Sequence, residues 1–159
     1  MSADSVRAWI ERHAPDLEFI TVQASTATVI EAAEALGVQP AQIAKSLAVR
    51  AGDHVLLLVT NGVARLDNAK SKAAFGQRPR MLGAEETLAV TGHPVGGVCP
   101  FDLPYGLPVY FDMSLRMLDT VYPAGGSLNT SVRAPVDGLF ELVGGRWVDV
   151  CRLPDAPTR

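Results

Sequence analysis

Apolar positions along this chain of 159 residues recur at helical spacing in some stretches and gather in short strand-like runs in others. Val6, Trp9, Ile10 and His13 recur at helical spacing, so residues 3–14 read as an amphipathic helix that Pro15 ends. Residues 17–22 read as a short strand. Ser25 to Thr28 offer hydroxyl caps for a helix over 29–36, which Gly37 closes. Residues 40–43 suit a single helical turn. Residues 44–50 and 54–60 then read as the two strands of the clearest hairpin in the chain, joined at Ala51, Gly52 and Asp53. Asn61-Gly62 is a tight turn.

Downstream, 67–75 reads as a helix capped by Asp67 or Asn68, and 84–90 as another with Glu85 and Glu86 in its first turn, where the helix dipole favours acids. Residues 92–108 are rich in glycine and proline and too long for a simple connector. Strands are expected over 109–112, 120–124 and 129–133, a short helix over 135–142, and one closing strand over 146–151. Elements alternate irregularly, with no repeat and no linker. The expectation is one domain over 1–159, with a core of about 7–153, built on a mixed β-sheet in an α/β (α+β) arrangement.

Composition narrows the classes. Hydrophobic residues make up 48% and charged residues 19%, enough apolar content for a packed core. No apolar run approaches a membrane span, and the first residues lack the basic-then-apolar pattern of a secretory signal. Two cysteines, Cys99 and Cys151, do not make a disulfide framework or a zinc spacing. These features lead us to expect a cytoplasmic protein without a membrane partner. A net charge of −3 argues against coating long nucleic acid, and no DNA partner is expected; a grip on one end of an RNA stays open.

Three segments can carry chemistry. On the strand over 44–50, Lys45 shares a face with Leu47 and Val49, whereas Ser46 points the other way with Ala48 and Arg50. Lys45 either snorkels at the strand end or places a cation at a pocket rim. The run Gly92 to Phe101 contains Gly96-Gly97, either an irregular connector or a bend whose amides hold an anion. Gly125-Gly126-Ser127 repeats the theme. His93 reads as a base or a capped loop histidine, and Cys99 as a nucleophile or a small buried apolar group. No nucleophile elbow, metal-ligand cluster, P-loop or dinucleotide fingerprint is present, so no metal or cofactor is expected.

The order and spacing of several pieces carry a resemblance: Ala24-Ser25-Thr26-Ala27-Thr28, Gln42 to Leu47, Arg65-Leu66-Asp67, Gly96-Gly97-Val98-Cys99-Pro100 and Ala124-Gly125-Gly126. Together they resemble the YbaK/ProX family of aminoacyl-tRNA deacylases, relatives of the editing domain inserted in bacterial prolyl-tRNA synthetase. The resemblance covers about 7–153. It implies a mixed sheet surrounded by helices and a pocket lined by the strand lysine and the glycine loops. Lys45 falls on the family's essential lysine, and Gly96 and Gly97 on its glycine loop. Cys99 stands where many members have serine. Ser127-Leu128-Asn129 replaces the basic pair of the cysteinyl-tRNA editing branch.

The implied activity is hydrolysis of the ester of a mischarged tRNA in trans, on tRNA-Pro or a related tRNA carrying a small amino acid. The partner is the 3′ acceptor end of aminoacyl-tRNA, with an aminoacyl-tRNA synthetase as a second candidate. Lys45 and Gly97 are the expected catalytic positions. Ser25, Thr26, Ser46, Gly96, Val98, Cys99, Gly125, Gly126 and Ser127 are the expected substrate contacts. The alternative is a non-catalytic module that binds tRNA or a synthetase.

Overall fold

A computed structural model describes residues 2–154. Five helices and ten strands form in chain order: α1 (Ser2–His13), β1 (Glu18–Thr21), α2 (Val29–Leu36), β2 (Ile43–Ala51), β3 (His54–Asn61), β4 (Arg65–Leu66), α3 (Asn68–Phe75), β5 (Arg80–Met81), α4 (Ala84–Thr91), β6 (Val109–Asp112), β7 (Thr120–Pro123), β8 (Thr130–Pro135), α5 (Val136–Leu142), β9 (Arg146–Val148) and β10 (Cys151–Arg152). Short 3-10 turns cover Pro40–Gln42 and Met113–Met117.

Local chemistry sets the helix ends. Thr28 caps α2 by accepting from Glu31 N–H, and Asp67 caps α3 by accepting from Lys70 N–H. Gly37 ends α2 at φ 69°, where a residue with a Cβ is strained.

The main sheet runs in the order β1-β8-β7-β2-β3-β6-β9, with β5 also on β2. β2 pairs antiparallel with β3 from Ala44↔Asn61 to Ala51↔His54. The β2/β7, β3/β6 and β6/β9 pairs are parallel, so the sheet is mixed. Alternation along β2 and β3 sorts side chains onto two faces. Ala44, Ala48, Leu57 and Val59 join the larger core with Val6 and Ile10 of α1, Phe101, Phe111 and Leu139 of α5. Val49, Leu56 and Leu58 join a second cluster with Phe75 of α3, Ala64 and Val150. Leu57 and Leu58 are fully buried on opposite faces, each contributing roughly 2 kcal/mol by burial.

Three features depart from the sequence reading. The closing strand expected over 146–151 is two strands: β9 stays in the main sheet, while β10 pairs with β4 in a separate two-stranded sheet. The break falls where Val150 and Cys151 N–H both donate to Asp112 Oδ1, at 2.9 and 3.1 Å, which takes those amides out of a ladder. The sequence reading assigns no element to the two-residue strands β4 and β5.

Candidate functional site

β2 has a different neighbour at each end of one edge. It pairs with β7 at Ile43↔Tyr122 and Ala44↔Pro123, and with β5 at Val49↔Met81 and Arg50↔Arg80. Leu82 N–H also donates to Ala48 O. Between these pairings Lys45, Ser46 and Leu47 have a strand partner on the β3 side alone. A cavity of about 330 Å³ opens at this gap. Its walls come from the turn and start of α2 (Thr26, Ala27, Val29), the gap itself, Met81 and Leu82, Thr87 of α4, and Val95, Gly96 and Val98 of the glycine-rich loop.

Alternation makes the two central gap residues diverge. Lys45 leaves β2 on the face of Leu47 and Val49, where its Nζ donates to Ala64 O at 2.7 Å. Burial lowers the ammonium's pKa below the ordinary lysine value; Cys151 nearby opposes that shift and Arg65 adds to it. Ser46 leaves on the opposite face, toward Val98 and Leu82. Its Oγ is buried and has no hydrogen-bond partner.

Of the expected positions, Thr26, Lys45, Ser46, Gly96 and Val98 come together around the cavity. The remainder lie elsewhere, for identifiable reasons. Gly97 N–H donates to Pro94 O at 2.9 Å, so it is not an open donor. A Cβ there would lie 2.6 Å from Ser127 N, so this glycine lets the two loops touch. Gly125 N–H is likewise engaged, by Thr130 O, and a Cβ on Gly126 would meet Ser2 and Val6. Ser25 braces the turn before α2, bonding Glu31 Oε1 and Ala27 N–H. Ser127 Oγ bonds Asn129 and Thr130 within its own loop.

Cys99 is fully buried, 3.5 Å from His93 Nε2, and burial pushes its thiol up to about 12. A thiol so protonated is a poor nucleophile at neutral pH. His93 is structural too. Its Nε2 pairs with Phe101 O at 2.8 Å and its Nδ1 with Ser2 Oγ at 2.5 Å. The tautomer that satisfies both donates from Nε2 and accepts at Nδ1. Burial lowers its pKa. The sequence reading missed Met81, Leu82, Thr87 and the Ala64 carbonyl. Met81 and Leu82 sit in a stretch without periodicity, and a carbonyl carries no residue signal.

A model of the aminoacyl-tRNA editing domain matches residues 23–142. The chain belongs to the aminoacyl-tRNA editing domain family. It is 43% identical to the uncharacterized protein YwhH of Bacillus subtilis over 154 residues, covering 96% of this chain and 98% of YwhH. It is 33% identical over 95 residues to the proline–tRNA ligase of Shouchella clausii, covering 59% of the chain and 17% of the ligase. The chain thus spans about a sixth of that ligase. Among solved structures, a proposed trans-editing enzyme for prolyl-tRNA synthetase superposes with a TM-score of 0.85 at 33% identity, covering 95% of this chain and 97% of that one. The hypothetical protein APE2540 superposes at 0.81 with 32% identity, covering 92% and 99%. The mixed sheet of this chain is the editing-domain fold.

Among the described residues, no group of three or more His, Cys, Asp or Glu could hold a metal, and no helix is long and apolar enough to cross a membrane.

Proposed function

We propose that this editing domain hydrolyses the ester between a wrongly attached small amino acid and the 3′ end of a tRNA, with the reacting bond held at the gap in β2. The observation that carries the reading is the shared cavity: Lys45, Gly96 and the free edge of β2 line one opening. The proline–tRNA ligase and trans-editing relatives favour tRNA-Pro as the carrier.

An aminoacyl ester is already activated, so the protein's task is positioning and stabilising charge on the carbonyl oxygen. Water, or the adjacent ribose hydroxyl, adds to the carbonyl carbon. The bond to the ribose oxygen breaks and that oxygen takes a proton. When the ribose hydroxyl attacks first, water completes the release. Lys45 supplies positive charge beside the ester and the terminal phosphate. Lys45 lines the cavity, and the bond to Ala64 O holds its head in place. With Gly97 and Gly125 N–H engaged, the loop contribution narrows to Gly96, whose φ of 90° bends the chain against Ala27 and Leu128 at the cavity wall.

The cavity also acts as a size filter. Val98, Leu82 and Ala48 leave room for a small side chain, and a larger cognate residue is refused, which is the logic of a second sieve. The test is steady-state deacylation by the purified protein of tRNAs mischarged with alanine, cysteine, serine, threonine and 2-aminobutyrate. Turnover of at least one supports the proposal. Tight tRNA binding without turnover of any would establish a binding module instead.

A further inference from the structure

Among the described residues, one buried side-chain oxygen or nitrogen lacks a partner, and it is Ser46 Oγ on the cavity wall. Burying a hydroxyl without a partner is unfavourable, and alanine at the same place would avoid that cost. The threonine hydroxyls around the cavity have protein partners. Thr26 Oγ1 donates to Thr130 O, Thr28 Oγ1 to Glu31 Oε1, and Thr87 Oγ1 to Leu82 O. Ser46 is also the residue at the centre of the unpaired stretch of β2. Its surroundings on that face are the small and apolar Ala44, Ala48, Leu82 and Val98.

We propose that Ser46 is a specificity-determining residue: its hydroxyl takes up a hydroxyl on the side chain of the edited amino acid. On this account the domain acts on seryl and threonyl esters in preference to their apolar isosteres, the 2-aminobutyryl and valyl esters. The inference rests on the deacylase reading for its substrate class. A neutral hydroxyl fits the position better than the substrate's α-ammonium. A cation would be desolvated among Val98, Leu82 and Ala48. A side-chain rotation about χ1 moves Oγ among staggered positions, so it can turn from the strand flank toward a ligand lodged at the gap. Serine and 2-aminobutyrate differ by OH for CH₃ at nearly constant volume. Their ratio therefore isolates the hydrogen bond from the size filter.

The experiment compares deacylation of seryl-, 2-aminobutyryl-, threonyl- and valyl-tRNA by the native protein and by Ser46→Ala. The native protein is expected to favour each hydroxyl-bearing ester over its isostere by about tenfold, the scale of one buried hydrogen bond. The ratio should fall to near one in Ser46→Ala. The melting temperature of the variant should stay equal or rise, because no protein bond is lost. Equal ratios in the two proteins, or a melting temperature lowered by several degrees, would overturn the proposal.

Binding of 3′-seryl and 3′-(2-aminobutyryl) amide analogues of adenosine separates this inference from the one beneath it. A serine preference that Ser46→Ala abolishes, without turnover of any ester, would sink the deacylase reading and leave the Ser46 subsite standing. Turnover without any such preference would do the reverse.

Discussion

Lys45 Nζ lies 2.7 Å from the carbonyl oxygen of Ala64, a residue that precedes β4 in the smaller sheet's own segment. This bond fixes the direction of a long side chain that would otherwise sample many rotamers at a cavity rim. Burial of the group also bears on its protonation, because desolvation disfavours the charged form.

Lys45→Ala should lower kcat/KM for deacylation by at least about a hundredfold, the loss typical of removing one charge-stabilising donor. The fold should persist, since the strand pairings of β2 do not use this side chain. Circular dichroism together with single-turnover rates checks both halves. A folded variant with near-native rates would remove Lys45 from the mechanism.

The lowered pKa of Lys45 gives activity a direction with pH. If the ammonium is the working form, the rate declines as pH rises through a value below the ordinary 10.5 of lysine. The stability term has its own sign. The unfolded chain holds this proton more tightly than the folded one, so stability rises as pH climbs from the folded pKa to the unfolded one. A pH–rate profile measured alongside urea midpoints distinguishes the two trends. Lys45→Arg, which keeps its charge, should lack the alkaline decline in whatever activity it retains.

His93 behaves as a buried neutral group with both ring nitrogens bonded. Burial holds its pKa below the ordinary 6.5, so the unfolded chain takes up a proton that the native state resists. Stability is therefore full above pH 6.5 and falls as pH drops from there toward the folded pKa. His93→Gln should lose about 1–3 kcal/mol at neutral pH and show a flatter acid limb. Denaturant titrations at several pH values would show a mistake here as parallel curves for the two proteins.

Gly97→Ala should destabilise the protein by about 2–4 kcal/mol, because the added methyl meets the Ser127 and Gly126 backbone at 2.6 and 2.8 Å and backbone yields poorly. Gly83→Ala is the matched control. It has nothing within 4 Å of the new methyl and a φ of −69°, so its cost should be confined to the poorer N-cap that alanine makes for α4, about 1 kcal/mol or less. Thermal melts of the two variants decide the matter.

Cys99 and Cys151 should resist thiol reagents in the native state. Both are buried and both thiols are pushed up to about 12. Labelling with a chromogenic disulfide should proceed only as fast as unfolding, and Cys99→Ala should keep deacylation. Loss of turnover in a folded Cys99→Ala would restore the thiol to the chemistry.

The parts of this molecule that were legible in advance are the local ones. The β2–β3 hairpin follows from two strand-like apolar runs on either side of Ala51, Gly52 and Asp53, and the opposed directions of Lys45 and Ser46 follow from the period of two along a strand. Capping by Thr28 and Asp67 needed only neighbours three residues away. The features that escaped depend on distant chain. Asp112 breaks the last strand by binding amides 38 and 39 residues further on. β4 and β5 are two residues each, too short to carry a period. The cavity arises because β7 and β5 stop short of each other along β2, which no window of sequence displays. Pairs of glycines look alike in sequence, yet Gly96 lines the cavity while Gly97 and Gly125 have their amides engaged.

An uncovered strand edge ordinarily invites a second chain to add itself, and runs of such edges seed fibrils. Here the bare stretch is Lys45 to Leu47, bounded by pairing at Ala44 and at Val49. Three residues give an intruding strand too little to hold. The gap thus keeps main-chain groups available to a small guest while offering the strand of another copy too short a stretch to pair with.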